Sequence, residues 1–145
     1  MRTGIFVGTF DPFTIGHASI VRRALPLFDC LVIGIGINEQ KKCMLSIEER
    51  LEAITALYRK EPKITVKTYT DLAVDFAHQE GAQYIVKGVR TVADFEYERT
   101  QADINRRIGN IETLLLFAEP QLESVSSSMV RELKHFGIDI KEFIP

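Results

Sequence analysis

Four short strings in this sequence concentrate the residue types that handle phosphate. The first is Gly8-Thr9-Phe10-Asp11-Pro12-Phe13-Thr14-Ile15-Gly16-His17, which follows an apolar run and precedes the helical spacing Ile20-Val21, Ala24-Leu25. A glycine there lets backbone approach a ligand, and a helix opening near Thr14 to Gly16 aims unpaired amides and a partial positive charge at an anion. His17, one turn into that helix, can donate a ring hydrogen bond to the same anion if it faces the loop. The plainer alternative is a glycine turn, a Thr14 N-cap and a solvated histidine. The second string, Ile37-Asn38-Glu39-Gln40-Lys41-Lys42, puts two ammonium groups in a loop. In the third, Lys87-Gly88-Val89-Arg90, Gly88 permits a sharp turn and two cations leave a strand end together. A point charge beside a forked guanidinium suits a polyphosphate. The fourth, Ser124-Val125-Ser126-Ser127-Ser128-Met129-Val130-Arg131, runs a serine cluster into a helical pattern. One serine caps a helix, so three in a row leave hydroxyls and amides for an anion.

These strings need a scaffold that brings them together, and the hydrophobic pattern supplies one. Gly4 to Val7, Leu31 to Ile35, Ile64 to Val66, Tyr84 to Val86 and Leu114 to Phe117 are short apolar runs bounded by turn signals, as strands buried on both faces should be. Helical patterns alternate with them at about Gly16 to Leu25, Ser46 to Arg59, Asp71 to Gln79, Val92 to Ile108 and Ser127 to Phe136. Ser46-Ile47-Glu48-Glu49 has the form of a capping box, and Leu51, Ile54 and Leu57-Tyr58 continue it as an apolar stripe. Alternation of this kind predicts an α/β fold: a five-stranded, mostly parallel sheet with helices on both faces, in a single domain over residues 1–145. In such sheets ligands bind beyond the carboxyl ends of the strands, near the reversal of strand order, where all four strings are expected.

Composition narrows the partners. The 18 Lys and Arg residues against 20 Asp and Glu give a formal charge of -2, which offers no global attraction for nucleic acid or an anionic membrane. No apolar run has the length of a spanning helix or the flanks of a signal peptide, which predicts a soluble, unprocessed chain. Cys30 and Cys43 lie in no zinc-like or Cys-x-x-Cys spacing, so neither a structural metal nor a disulfide framework is expected, and a reducing compartment fits. His78 and His135 fall late in helical segments without metal-spacing partners, and Asp103, Arg106 and Arg107 read as a solvated helix face. No Ser-His-Asp or Cys-His arrangement is evident.

The string Gly-Thr-Phe-Asp-Pro-Phe-Thr-x-Gly-His resembles the nucleotide-binding signature of the HIGH-type nucleotidyltransferase superfamily. That resemblance implies a Rossmann-like fold and ATP phosphates bound by Thr9, Phe10 and His17. The run from Lys87 to Glu98, together with Lys41-Lys42, Glu49-Arg50, Asp71-Leu72 and the serine cluster, is similar to phosphopantetheine adenylyltransferases along nearly the whole chain. It implies transfer of AMP from ATP to 4′-phosphopantetheine, yielding dephospho-coenzyme A and pyrophosphate. By the same resemblance ATP would meet Gly88, Val89, Arg90 and Glu98 and the segment Leu122, Glu123, Ser124, Val125, Ser126, Ser127 and Ser128. Thr9, Lys41, Ala73 and Lys87 would hold the acceptor, and His17 would stabilise the transition state. Mg²⁺ would arrive with ATP, with no dedicated protein ligands, and the family's cytoplasmic location and homohexamer are implied rather than read from residues.

Three features depart from the family pattern. Lys87 stands where arginine is common, Leu122-Glu123-Ser124 replaces a more aromatic stretch, and the chain ends at Pro145 without a further helix. A phosphate monoester is ionised at neutral pH and needs no general base, so cations and helix ends are expected to outnumber bases. Two rival readings share the same cradle: a nucleotidylyltransferase for another acceptor, such as nicotinate mononucleotide or glycerol 3-phosphate, and a nucleotide-binding module without turnover.

Overall fold

The computed structural model describes residues 1–145. Strands β1 (Thr3–Gly8), β2 (Cys30–Gly36), β3 (Ile64–Tyr69), β4 (Tyr84–Val89) and β5 (Glu112–Phe117) form one sheet in the order β3-β2-β1-β4-β5, with every neighbouring pair parallel. Helices α1 (Ile15–Ala24), α2 (Ile47–Leu57), α3 (Ala73–Gln79) and α4 (Val92–Gly109) make the crossovers, and α5 (Ser127–His135) follows the last strand. This is the α/β, Rossmann-like architecture that the alternating patterns predict. The start of α2 is the expected capping box: the Glu49 amide donates to Ser46 Oγ at 3.1 Å and the Ser46 amide to Glu49 Oε1 at 3.0 Å.

The two-residue period of β1 divides the core between two faces. Phe6 packs with Ile20, Val21 and Ala24 of α1 and Ile54 of α2, while Ile5 and Val7 pack with Val74, Phe76 and Ala77 of α3. Burial on both faces is what makes β1, β2 and β4 read as unbroken apolar runs. The same expectation fails for β3 and β5, which are the sheet edges: Thr65 and Lys67 of β3 and both ends of β5 are exposed.

A second correction concerns β4. Lys87, Gly88 and Val89 do not form the turn after the strand but its last three residues, in register with Leu115, Leu116 and Phe117. Gly88 serves close approach rather than a turn, since a Cβ there would lie 2.9 Å from Ile20 Cγ1 and force that side chain to shift. From β1 the chain runs outward to β2 and β3, then returns to β4 and outward again to β5. The reversal lies between β1 and β4, and the crevice beyond their carboxyl ends is where a ligand belongs.

Candidate active site

A cavity of about 350 Å³ opens at that crevice, with Thr9, His17, Lys41, Lys87, Arg90 and Ser127 among its walls. Two helices start there. Thr14 caps α1 and Ser126 caps α5, and neither helix has an acidic residue in its first turn, whereas α2, α3 and α4 each have at least one. The unpaired amides of Gly16 and of Ser127 and Ser128 therefore keep their partial positive charge for a ligand.

His17 occupies the third position of α1 and closes its capping box. The Thr14 amide donates to Nδ1 at 2.9 Å, so Nδ1 carries no proton and the proton of the neutral ring sits on Nε2. The Phe10 ring meets the imidazole edge-on at 5.0 Å and the Phe13 ring lies 5.2 Å away. Burial, helped by the nearby Arg90 and Lys87 charges, pushes the His17 pKa down to about 4. At neutral pH the side chain is an uncharged hydrogen-bond donor with a fixed tautomer. It is no acid reservoir.

The loop from Thr9 to Pro12 is held from three sides through its carbonyls. The buried Arg50 of α2 donates to Thr9 O at 2.9 Å, Arg131 of α5 to Asp11 O at 2.7 Å, and Ser127 Oγ to Pro12 O at 2.8 Å. These bonds span 41, 120 and 115 residues of sequence, so helices distant along the chain fix the turn beside β1. Lys41, from the loop between β2 and α2, reaches Thr9 Oγ1 at 3.3 Å. Lys42 is exposed and lies outside the cavity wall.

Cations and carboxylates balance around the cavity: Lys41, Lys87, Arg90 and Arg131 face Asp11, Asp94, Glu98 and Glu119. Cations alone therefore do not exceed carboxylates in formal charge. Lys87 pairs with Glu98 at 3.1 Å, and Arg90 with Asp94 at 3.5 Å. Glu119 accepts from Ser19 and Arg22, and the Asp11 carboxylate accepts two backbone amides. Attraction for an anion comes instead from Lys41, which meets only a hydroxyl, from Arg131, which meets a carbonyl and a hydroxyl, and from the two helix ends.

The sequence and the fold that build this cradle are both matched by known proteins. The family model described as cytidylyltransferase-like matches residues 5–133. Phosphopantetheine adenylyltransferase of Phocaeicola vulgatus is 57% identical over 145 residues, covering 100% of this chain and 96% of its own length. The proteins of that name from Bacteroides fragilis and Porphyromonas gingivalis are 58% and 50% identical, over 100% and 97% of this chain and 97% and 92% of their own. This chain belongs to the phosphopantetheine adenylyltransferase family. It is a nucleotidyltransferase. In fold it is similar to a bifunctional NMN adenylyltransferase/ADP ribose pyrophosphatase of Francisella tularensis, with TM-score 0.74, 16% identity and 99% of this chain covered. This chain spans 44% of the length of that larger protein. A Vibrio parahaemolyticus protein provisionally named a nicotinate-nucleotide adenylyltransferase gives TM-score 0.66 at 18% identity, over 99% of this chain and 94% of its own.

For this adenylyltransferase, the cavity gathers Thr9, Phe10, His17, Lys41, Lys87, Gly88, Val89, Arg90, Glu98, Leu122, Val125 and the three serines 126 to 128, all expected from sequence. Three expected residues lie elsewhere. Glu123 and Ser124 are exposed outside the wall, because the 3-10 turn Pro120–Leu122 carries them past it. Ala73 begins α3 and packs on the second core face with Cys30 and Tyr69, beyond the cavity. Phe10 has a φ of 53°, in the left-handed region, and its ring is buried among Phe6, Phe13 and His17. Gly8 makes room for that ring, which a Cβ would approach to 3.0 Å.

The serine cluster also differs from expectation. Ser126 is the cap, accepting from the Met129 amide at 3.1 Å, Ser127 donates to Pro12 O, and Ser128 Oγ accepts from Arg131 at 3.1 Å. The hydroxyls mostly bind protein, and the amides are what remain open. Sequence reasoning missed Asp11, Ser19, Tyr97, Glu119 and Arg131 on the wall and Arg50 behind it. Asp11, Arg50, Tyr97 and Arg131 stood inside strings already singled out, which was the only local signal.

Proposed function

We propose that this enzyme joins AMP from ATP to 4′-phosphopantetheine, giving dephospho-coenzyme A and pyrophosphate in coenzyme A biosynthesis. The observation that carries the reading is the convergence of His17, Lys41, Lys87 and Arg90 with the starts of α1 and α5 on one cavity. An ionised oxygen of the acceptor phosphate bonds to the α-phosphorus of ATP, and the bond from that phosphorus to the β-bridging oxygen breaks, releasing pyrophosphate. No proton has to be removed first. Catalysis then consists of alignment and of stabilising charge on the equatorial and leaving oxygens.

In this reading the amides of Gly16, Ser127 and Ser128, with Arg90, hold the nucleotide phosphates, while Gly88, Val89, Glu98, Leu122 and Val125 line the rest of the nucleotide site. His17 donates from Nε2 to an oxygen whose charge grows in the transition state, and the Thr14 amide donating to Nδ1 keeps the ring proton on Nε2. Thr9, Lys41 and Lys87 hold the acceptor phosphate, which must compete with Glu98 for Lys87. Mg²⁺ enters with ATP. The carboxylates of the wall are engaged by cations, a hydroxyl or amides, and no group of three His, Cys, Asp or Glu side chains could cage a metal. This donor set fits an ion held by phosphate oxygens and water, for which its chemistry is charge neutralisation.

We further propose a cytoplasmic homo-oligomer, a hexamer by family likeness. Val92, Phe95, Ile104 and Ile108 of α4 are exposed apolar residues that subunit contacts would cover. Both cysteines are unpaired, and no helix is long and apolar enough to cross a membrane. The substrate reading is tested by pyrophosphate release from ATP with 4′-phosphopantetheine, nicotinate mononucleotide and glycerol 3-phosphate as separate acceptors. Turnover with the first is expected. Turnover with another acceptor alone would overturn the assignment.

A further inference from the structure

Asp11 has no part in the chemistry above, yet it is a carboxylate buried to 2% exposure beside the phosphate cradle. Burying such a charge is unfavourable unless hydrogen bonds compensate it. Its compensation is specific: Oδ2 accepts the Met44 amide at 2.8 Å and Oδ1 the Leu45 amide at 2.8 Å. Those amides belong to the segment 37–46, which joins β2 to α2 and carries Lys41. Residues 38–42 at its centre are exposed. At its start the Ile37 amide donates to Tyr69 O at 2.9 Å, and at its end stand the two bonds to Asp11.

We infer that Asp11 is a positioning residue for Lys41. By clamping both amides at the end of the segment, its carboxylate sets how closely the Lys41 ammonium stands to Thr9 Oγ1, and so to the acceptor phosphate. The inference rests on the acceptor role proposed for Lys41 and adds the residue that enforces it. The nucleotide side of the same turn is held separately. Arg50, Ser127 and Arg131 grip the carbonyls of Thr9, Pro12 and Asp11 without using the Asp11 carboxylate.

Asp11→Asn tests this. Asparagine offers one acceptor oxygen and turns an NH₂ donor toward the other amide, so one clamp bond is lost at constant size. The expected result is a rise of about tenfold in KM for 4′-phosphopantetheine, the scale of one charge-assisted bond, with KM for ATP within about twofold. In Lys41→Ala the further change Asp11→Asn should raise the acceptor KM no more, because the residue being positioned is gone. Trypsin should also cut after Lys41 and Lys42 several-fold faster in the single variant than in the wild type at equal melting temperature. Leu45→Pro removes one donor while leaving Asp11 intact, and should reproduce the acceptor effect if Asp11→Asn folds poorly.

An unchanged acceptor KM, equal rises in both KM values, or effects of Asp11→Asn and Lys41→Ala that add would overturn the assignment. If the wild type does not use 4′-phosphopantetheine, the proposed function falls. The tryptic comparison still decides whether Asp11 restrains the Lys41 segment.

Discussion

Replacing His17 with Gln should make the enzyme less sensitive to mild acid. Glutamine can occupy the third position of a capping box, so α1 can keep its start while the titrating ring is removed. In the wild type the imidazole has an ordinary value of 6.5 when unfolded and about 4 in the fold. Because the folded value is the lower one, the associated stability is complete above pH 6.5 and is lost as pH falls toward 4, where only the unfolded chain takes up the proton. The gap spans roughly 2.5 pH units at about 1.4 kcal/mol each, so about 3 kcal/mol is at stake. Between pH 7.5 and 4.5 the wild type should lose about 2 to 3 kcal/mol more than His17→Gln, since every other titrating group is common to both. Urea unfolding at a series of pH values measures the difference, and the imidazole resonances report the native site directly. Parallel pH profiles for the two proteins, or a His17 resonance titrating near 6.5, would refute the neutral, half-buried donor on which the proposed mechanism depends.

Three further outcomes follow from the geometry. His17→Ala should lower kcat by about a hundredfold or more with KM little changed, the scale of a lost transition-state donor; retained kcat with a raised KM would contradict that role. Gly88→Val should cost about 1 to 3 kcal/mol in urea unfolding, because even a Cβ would stand 2.9 Å from Ile20 Cγ1 and the packing around Ile20 must shift. Lys87→Met should raise the acceptor KM about tenfold or more and flatten its salt dependence, both read in steady-state kinetics at two ionic strengths.

Much of this was legible along the chain. Burial on both faces made β1, β2 and β4 plain, and the capping box at Ser46 fixed the start of α2 within a residue. Gly88 was misread because glycine after an apolar run is the usual sign of a turn; its true partner, Ile20, is brought near by a crossover that local sequence does not encode. The serines misled for a similar reason. Their hydroxyls are engaged by Pro12 and Arg131, and a contact spanning 115 residues leaves no trace in spacing. Asp11 was hidden more completely, since its partners are backbone amides, which every residue except proline possesses. The edge position of β3 and β5 is a property of sheet order and could not be read from either strand alone.

The grip of α5 on the first turn has a consequence for how the enzyme comes into being. Chain synthesis delivers Thr9 to Pro12 early, but Ser127 and Arg131, which hold the carbonyls of Pro12 and Asp11, emerge more than a hundred residues later. A nascent polypeptide can build β1 and α1 and still lack a finished cradle. Competence to bind nucleotide is therefore a late event in biogenesis, withheld until the earliest and latest parts of the message meet.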